Sequence, residues 1–238
     1  MSTYDDPTGA LLAPGLTFGD ALRQAVATLP CDELAYLVLT SKPEAVLRDR
    51  VALAVRSHLK KTGHPLYVSR EFKDRVDLAV VNENGSPTTL VEFKSGHSTN
   101  ARPIVSGLAN DVVKCRELLA LNYETSPVFL VLALIHYRSA GPESMDSFLK
   151  YQGETRRLRV PDGPSMMLAT CQAKLNALFP ELTPVPMDHL LGRDFGVDVE
   201  LHWYVMGPIS PTLPGDTATQ EIQKANDARA RLSQKQAR

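Results

Sequence analysis

Apolar positions recur along this chain with two different periods, and the changes between them mark its elements. Phe18, Leu22, Val26 and Leu29 fall at helical spacing behind Thr17, a residue suited to cap a helix. Val46, Leu47, Val51, Leu53, Ala54, Val55 and Leu59 give Ala45 to Lys61 one broad apolar side, with Glu44 and Asp49 near its start and Gly63-His64-Pro65 ending it. The spacing predicts a helix there and, after Pro103, another over Ile104 to Leu121, where Ile104, Leu108, Val112, Cys115 and Leu119 share a face. Between these helices the pattern becomes strand-like. Leu66 to Ser69 opens a first strand and Arg75 to Val81 is a second; Asn84-Gly85 marks a hairpin turn, and Leu90 to Lys94 returns as a third. Val128 to Tyr137 is apolar almost throughout, which suits a central strand covered on both faces and is too short for a membrane helix. Leu34 to Thr40 reads as a short strand or a continuation of helix, Ser165 to Phe179 as a helix stopped by Pro180, and Leu201 to Met206 as a last strand. Residues 1–16 read as an irregular arm.

The order helix, three strands, helix, strand predicts an α/β fold with a central mixed β-sheet flanked by helices, in which an antiparallel hairpin feeds a crossover. Within it, Glu92 and Lys94 are two residues apart on one strand and share a side, while Val91 and Phe93 face the opposite side and can enter a core. The hairpin brings Asp77 close to Glu92. Two facing carboxylates repel one another unless a cation lies between them, so the pair suits a divalent metal; Mg2+ is the natural choice because it takes hard oxygen ligands and bridges to phosphate. Lys94 could then orient the attacking water or neutralise charge on a phosphoryl centre.

Composition narrows the setting. The 238 residues are 43% hydrophobic and 22% charged, ordinary for a globular protein, and a formal charge of -1 makes the whole molecule no electrostatic magnet for nucleic acid. Charge is unevenly placed: Lys42 to Arg75 holds nine bases against four acids, immediately ahead of the candidate site, with a second basic patch at Arg156, Arg157 and Arg159. Cys31, Cys115 and Cys171 are odd in number and widely spaced, which disfavours a disulfide scaffold or a zinc knuckle and fits core cysteines in a reducing, cytoplasmic setting. The N-terminus has no signal-peptide pattern, and no G-x-x-x-x-G-K-[ST] phosphate loop occurs.

Arg-Val-Asp-Leu-Ala-Val-Val at 75–81 followed by Leu-Val-Glu-Phe-Lys at 90–94 resembles the core of the PD-(D/E)XK superfamily, the restriction-endonuclease-like nucleases. The resemblance covers Pro43 to Tyr137, with Val76 where the name-giving proline often sits. It implies a restriction-endonuclease-like core and a DNA endonuclease dependent on Mg2+, with Mn2+ as a substitute. Asp77 and Glu92 would be metal ligands, the Phe93 carbonyl a further one, and Lys94 the water-orienting residue. Glu44, or else Glu33 or Asp49, would match the acid that the family draws from an early helix. Double-stranded DNA would be the partner, cut by a homodimer at a palindromic site, as in restriction or genome defence; a structure-selective repair nuclease or a non-catalytic DNA-binding protein are the alternatives. On this reading residues 1–41 are an N-terminal arm and helix and 42–137 the nuclease core. Residues 138–207 belong to the same domain and could serve recognition or dimerisation, and 208–238 form a Pro/Gly-rich connector and polar tail. Ser95 and His97, past Lys94, are further candidates for phosphate contact; His136 reads as a core histidine held by a backbone carbonyl.

Overall fold

A computed structural model describes residues 6–73, 76–122, 126–187 and 190–209, without the side chains of 120–122. Arg75 and residues 210–238, most of the connector and polar tail, lie outside them.

The strand signals assemble into one sheet. β3 (Leu66–Phe72), β4 (Val76–Asn82) and β5 (Pro87–His97) form an antiparallel meander, and β5 then pairs in parallel with β6 (Val128–Tyr137). β9 (Val197–Met206) runs antiparallel to β6, with the short β7 (Thr183–Pro184) and β8 (Leu190–Asp194) along its other side. Among the described residues the order is β3-β4-β5-β6-β9-β7, a mixed sheet whose one parallel pair is bridged by helix α4 (Ala101–Asn122). The β4–β5 turn forms as the Asn84-Gly85 signal predicts: Gly85 adopts a left-handed φ of 75°, and the Asn82 side chain accepts the N–H groups of Asn84 and Ser86.

Strand alternation divides the core between the two faces. Val91, Phe93, Phe129, Val131 and Trp203 pack against α1 (Phe18–Ala27), α2 (Cys31–Thr40) and α3 (Glu44–Thr62). Leu90, Leu130, Leu132 and Tyr204 pack against α4 and α6 (Gly163–Leu178), through Ile104, Leu108, Cys115, Cys171 and Leu175. β6 is buried along its whole length, as its almost wholly apolar run requires. The result is a mixed α/β architecture with helices on both faces. Among the described residues no helix is long and apolar enough to cross a membrane.

Several local expectations change. Leu34 to Thr40 is helical: it completes α2, whose Leu34, Ala35, Val38 and Leu39 are buried at helical spacing. The N-terminal segment is no irregular arm, because β1 (Leu11–Ala13) and β2 (Leu16–Thr17) form a small antiparallel pair with Leu12 and Leu16 buried, leading to the Thr17 cap of α1. Cys31 is exposed at the start of α2, whereas Cys115 and Cys171 are core residues. Ser95-Gly96-His97 is not loop. The parallel ladder with β6 carries β5 on to His97, opposite Ile135, and Gly96 permits this because a Cβ there would lie 2.3 Å from Ile104 of α4. The candidate strand residues therefore sit in the sheet's interior, at a notch where β4 stops pairing with β5.

Candidate active site

The notch explains how the acids are gathered. β4 and β5 pair from Val81 and Pro87 as far as Leu78 and Val91, after which β5 runs on along β6. Backbone N–H groups on the abandoned side of β5 need other acceptors. Two carboxylates supply them: Asp77 Oδ2 accepts from Phe93 N–H at 2.8 Å, and Glu44 Oε2 accepts from Ser95 N–H at 2.9 Å and from the Ser95 hydroxyl at 3.4 Å. Glu44 is the first residue of α3, where the helix dipole favours an anion. Because a strand residue's N–H and C=O share an edge, the Phe93 carbonyl lies on the side of β5 that Asp77 occupies. Phe93 and Val91 themselves enter the core, as their alternation predicts.

Glu92 and Lys94 lie on the opposite face from Phe93, beneath α4. The Glu92 side chain is 3% exposed, and its Oε1 is 2.8 Å from Lys114 Nζ; Lys94 Nζ is 2.9 Å from Asp111 Oδ2. Asp111 and Lys114 are three apart and so share a face of α4. Lys94 reaches Asp111 by running over Gly107, where a Cβ would stand 3.1 Å from Lys94 Cε. Glu92 Oε1 and Asp111 Oδ2 are both buried, and each is met by one lysine ammonium. From α3, Arg48 reaches the same notch. Its guanidinium is 3.5 Å from Asp77 Oδ1, 3.2 Å from Glu71 and 3.1 Å from Asp49.

Burial and crowding shift the titrations. Burial pushes the Glu92 carboxyl up to about 8; the Asp77 and Asp111 charges add to this and Lys114 opposes it. Burial also raises Asp111, against the opposing Lys94 and Lys114. Burial alone would lower Lys94, but Asp111, with Glu44 and Asp77 behind it, outweighs that and holds the ammonium above its ordinary value. Lys94 is thus a cation throughout the neutral range.

Of the sequence candidates, Glu44, Asp77, Glu92 and Lys94 enter one electrostatic cluster. The other two helical acids do not take the Glu44 position: Glu33 pairs with Arg50 at 2.6 Å, and Asp49 is held by Arg48 and Arg70. His97 faces inward, its Nδ1 2.8 Å from the Tyr137 hydroxyl and its ring against Tyr151, so it is placed for packing rather than phosphate contact. Ser95 is occupied by Glu44. His136 is a core histidine, but its partner is the Ser98 hydroxyl at 2.9 Å rather than a carbonyl. The second basic patch is largely spoken for: Arg156 and Arg159 both hold Asp146, and Arg157 pairs with Glu154 at 3.0 Å.

Arg48, Asp111 and Lys114 were not foreseen. Arg48 carried a weak signal as a base beside the apolar stripe of α3. Asp111 and Lys114 carried none, since charges three apart are commonplace on a solvated helix face.

Among the described residues no three histidine, cysteine, aspartate or glutamate side chains stand close enough to hold a metal ion by themselves. The oxygen donors nonetheless fit a hard divalent cation. Glu92 is a buried carboxyl that feels the Asp77 charge, and Asp77 and the Phe93 carbonyl share one side of β5, with water left to complete the shell. No family model matches the chain, nor does any curated protein or solved structure.

Proposed function

We propose that the chain is a Mg2+-dependent DNA endonuclease of the PD-(D/E)XK, restriction-endonuclease-like class, acting on double-stranded DNA as a homodimer in restriction or a related genome-defence role. The observation that carries this reading is the notch itself. Where β4 leaves β5, Asp77 and Glu44 replace the missing strand and cap the Phe93 and Ser95 N–H groups, which sets two carboxylates beside the Glu92-Phe93-Lys94 element. Asp77, Glu92 and the Phe93 carbonyl would hold the metal, which when bound would lower the pKa of a coordinated water and neutralise phosphoryl charge.

The protein's own groups divide the remaining work. Glu44 and Asp77 each anchor a backbone N–H, so their carboxylates are fixed relative to β5 before substrate arrives. Lys94, held protonated by Asp111, serves as an electrostatic partner for the phosphoryl oxygens and the attacking water; removing a proton from that water would first require it to lose its own. Arg48 holds Asp77 in place through a charge contact at 3.5 Å.

One observation favours a second reading. Asp77, Glu92 and Lys94 each have an intramolecular partner of opposite charge, which also suits a non-catalytic DNA-binding protein built on the same framework. The two are separated by incubating wild-type protein and Lys94→Ala with linear, nicked and supercoiled plasmid DNA in Mg2+, Mn2+ or EDTA. Cleavage that requires both a divalent metal and Lys94 is expected; binding without cleavage of any form would reject the nuclease in favour of the binder.

A further inference from the structure

We propose that Lys114 is the resident counter-ion of the metal site: in the metal-free protein its ammonium neutralises Glu92, and a divalent cation binds by displacing it. The inference rests on the reading of Asp77 and Glu92 as metal ligands and adds the residue that sets how tightly they bind.

Four cationic side chains among the described residues are paired with the acids around the notch, and they differ in their freedom to leave. Lys42 is 64% exposed but meets Glu44, at 3.5 Å, rather than either proposed metal ligand. Arg48 is 11% exposed and shared with Asp49 and Glu71, so breaking its contact with Asp77 would not release it. Lys94 is 24% exposed, pressed along Gly107 and paired with an acid other than Glu92. Lys114 is 40% exposed, while the carboxylate it neutralises is 3% exposed. The acid cannot reach water; the lysine can. A cation arriving at Glu92 therefore meets a partner with an open route to solvent. Displacement gives up one ammonium contact at 2.8 Å, whose charge the arriving ion replaces. An ammonium left in place would oppose that ion at close range, so the two occupancies compete.

Calorimetric titration of the DNA-free protein with Mg2+ and Mn2+ tests this without reference to catalysis. Lys114→Gln, which removes the competitor, is expected to bind metal about tenfold more tightly, a conservative figure for removing one nearby like charge at an effective dielectric near 20. Lys114→Arg, which keeps the charge, is expected to bind as wild type does. Amine acylation followed by mass spectrometry gives a readout on wild type that needs no variant to fold: Mg2+ should speed modification of Lys114 while leaving the exposed Lys60 unchanged. Equal or weaker metal affinity in Lys114→Gln, or acylation of Lys114 indifferent to Mg2+ in a protein that binds it, would overturn the proposal and leave the metal site standing. If neither wild type nor any Lys114 variant binds metal, the assignment of Asp77 and Glu92 as ligands falls, and the role of Lys114 with it. Loss of binding in Asp77→Asn confirms that the titration reads the intended site.

Discussion

Two of the acid–base clusters among the described residues are built on opposite principles. In one, Arg159 meets Asp146 through both terminal nitrogens, at 2.7 and 3.2 Å, and Arg156 adds a third bond at 2.8 Å. These hydrogen bonds, with Arg159 foremost, hold the Asp146 carboxyl below its usual range. In the other, Glu92 and Asp111 lie beneath α4, where burial drives both carboxyls upward and each is paired with a single lysine. Planar guanidinium groups match a carboxylate's geometry, whereas an ammonium acts as a point charge. The first cluster is satisfied from within and ties the segment after β6 to itself. The second retains oxygens whose ionised form the protein alone does not fully support, the condition under which an outside cation would be favoured there.

Substitutions can break this contrast or sharpen it. The largest effect is expected on cleavage: Asp77→Ala or Lys94→Ala should lower the initial rate in Mg2+ roughly a thousandfold, the scale for removing a preorganised charge from a phosphoryl-transfer site. Asp146→Asn should leave that rate near wild type while lowering the urea midpoint of unfolding. Loss of both activities in both clusters would erase the distinction. Acid destabilisation comes next. His136 is 4% exposed, and burial pushes it down to about 4, with His202 and Arg138 acting in the same sense and Glu200 opposing. Its ordinary value is near 6.5, so between those limits the unfolded chain binds the extra proton. Its contribution is therefore intact above about pH 6.5 and is lost as pH falls toward 4, by up to ~3 kcal/mol, and His136→Gln should flatten that part of a urea-against-pH profile.

Glu92→Gln should abolish cleavage yet raise metal-free stability by about 1 kcal/mol, because it removes a buried carboxyl whose ionised form burial disfavours and whose partner can return to water. A fall of several kcal/mol in the unfolding free energy would show instead that the Glu92–Lys114 pair is a structural clamp like that of Asp146. Least affected is Arg157→Ala, which removes a half-exposed ion pair with Glu154; stability should change by less than ~0.5 kcal/mol, and the salt dependence of DNA binding should stay as it was unless Arg157 touches phosphate.

The parts of the fold that could be read from the sequence are those whose cause is local. α3 and β6 announce themselves by period and run length, and the β4–β5 hairpin by Asn84-Gly85. The side-chain period of two also put Glu92 and Lys94 on one face and Phe93 in the core. What escaped depends on partners distant in the chain. β5 runs to His97 because β6 lies beside it, and β8 is a strand only because β9 offers an edge. The choice of Glu44 over Glu33 and Asp49 turns on Ser95, fifty-one residues further on. Asp111 and Lys114 became part of the site through the docking of α4, an event with no trace in their spacing.

Gly96 lies opposite Leu134 on β5, where even a methyl group would collide with Ile104. Its missing side chain lets the first turns of α4 settle directly on the strand, and that same helix carries Asp111 and Lys114 down to Lys94 and Glu92. A survey that replaced side chains with alanine in search of important positions would look for what each residue contributes by its presence. Here the contribution is a vacancy, detectable only by filling it, and a single added carbon would raise the roof over a site that the glycine never touches.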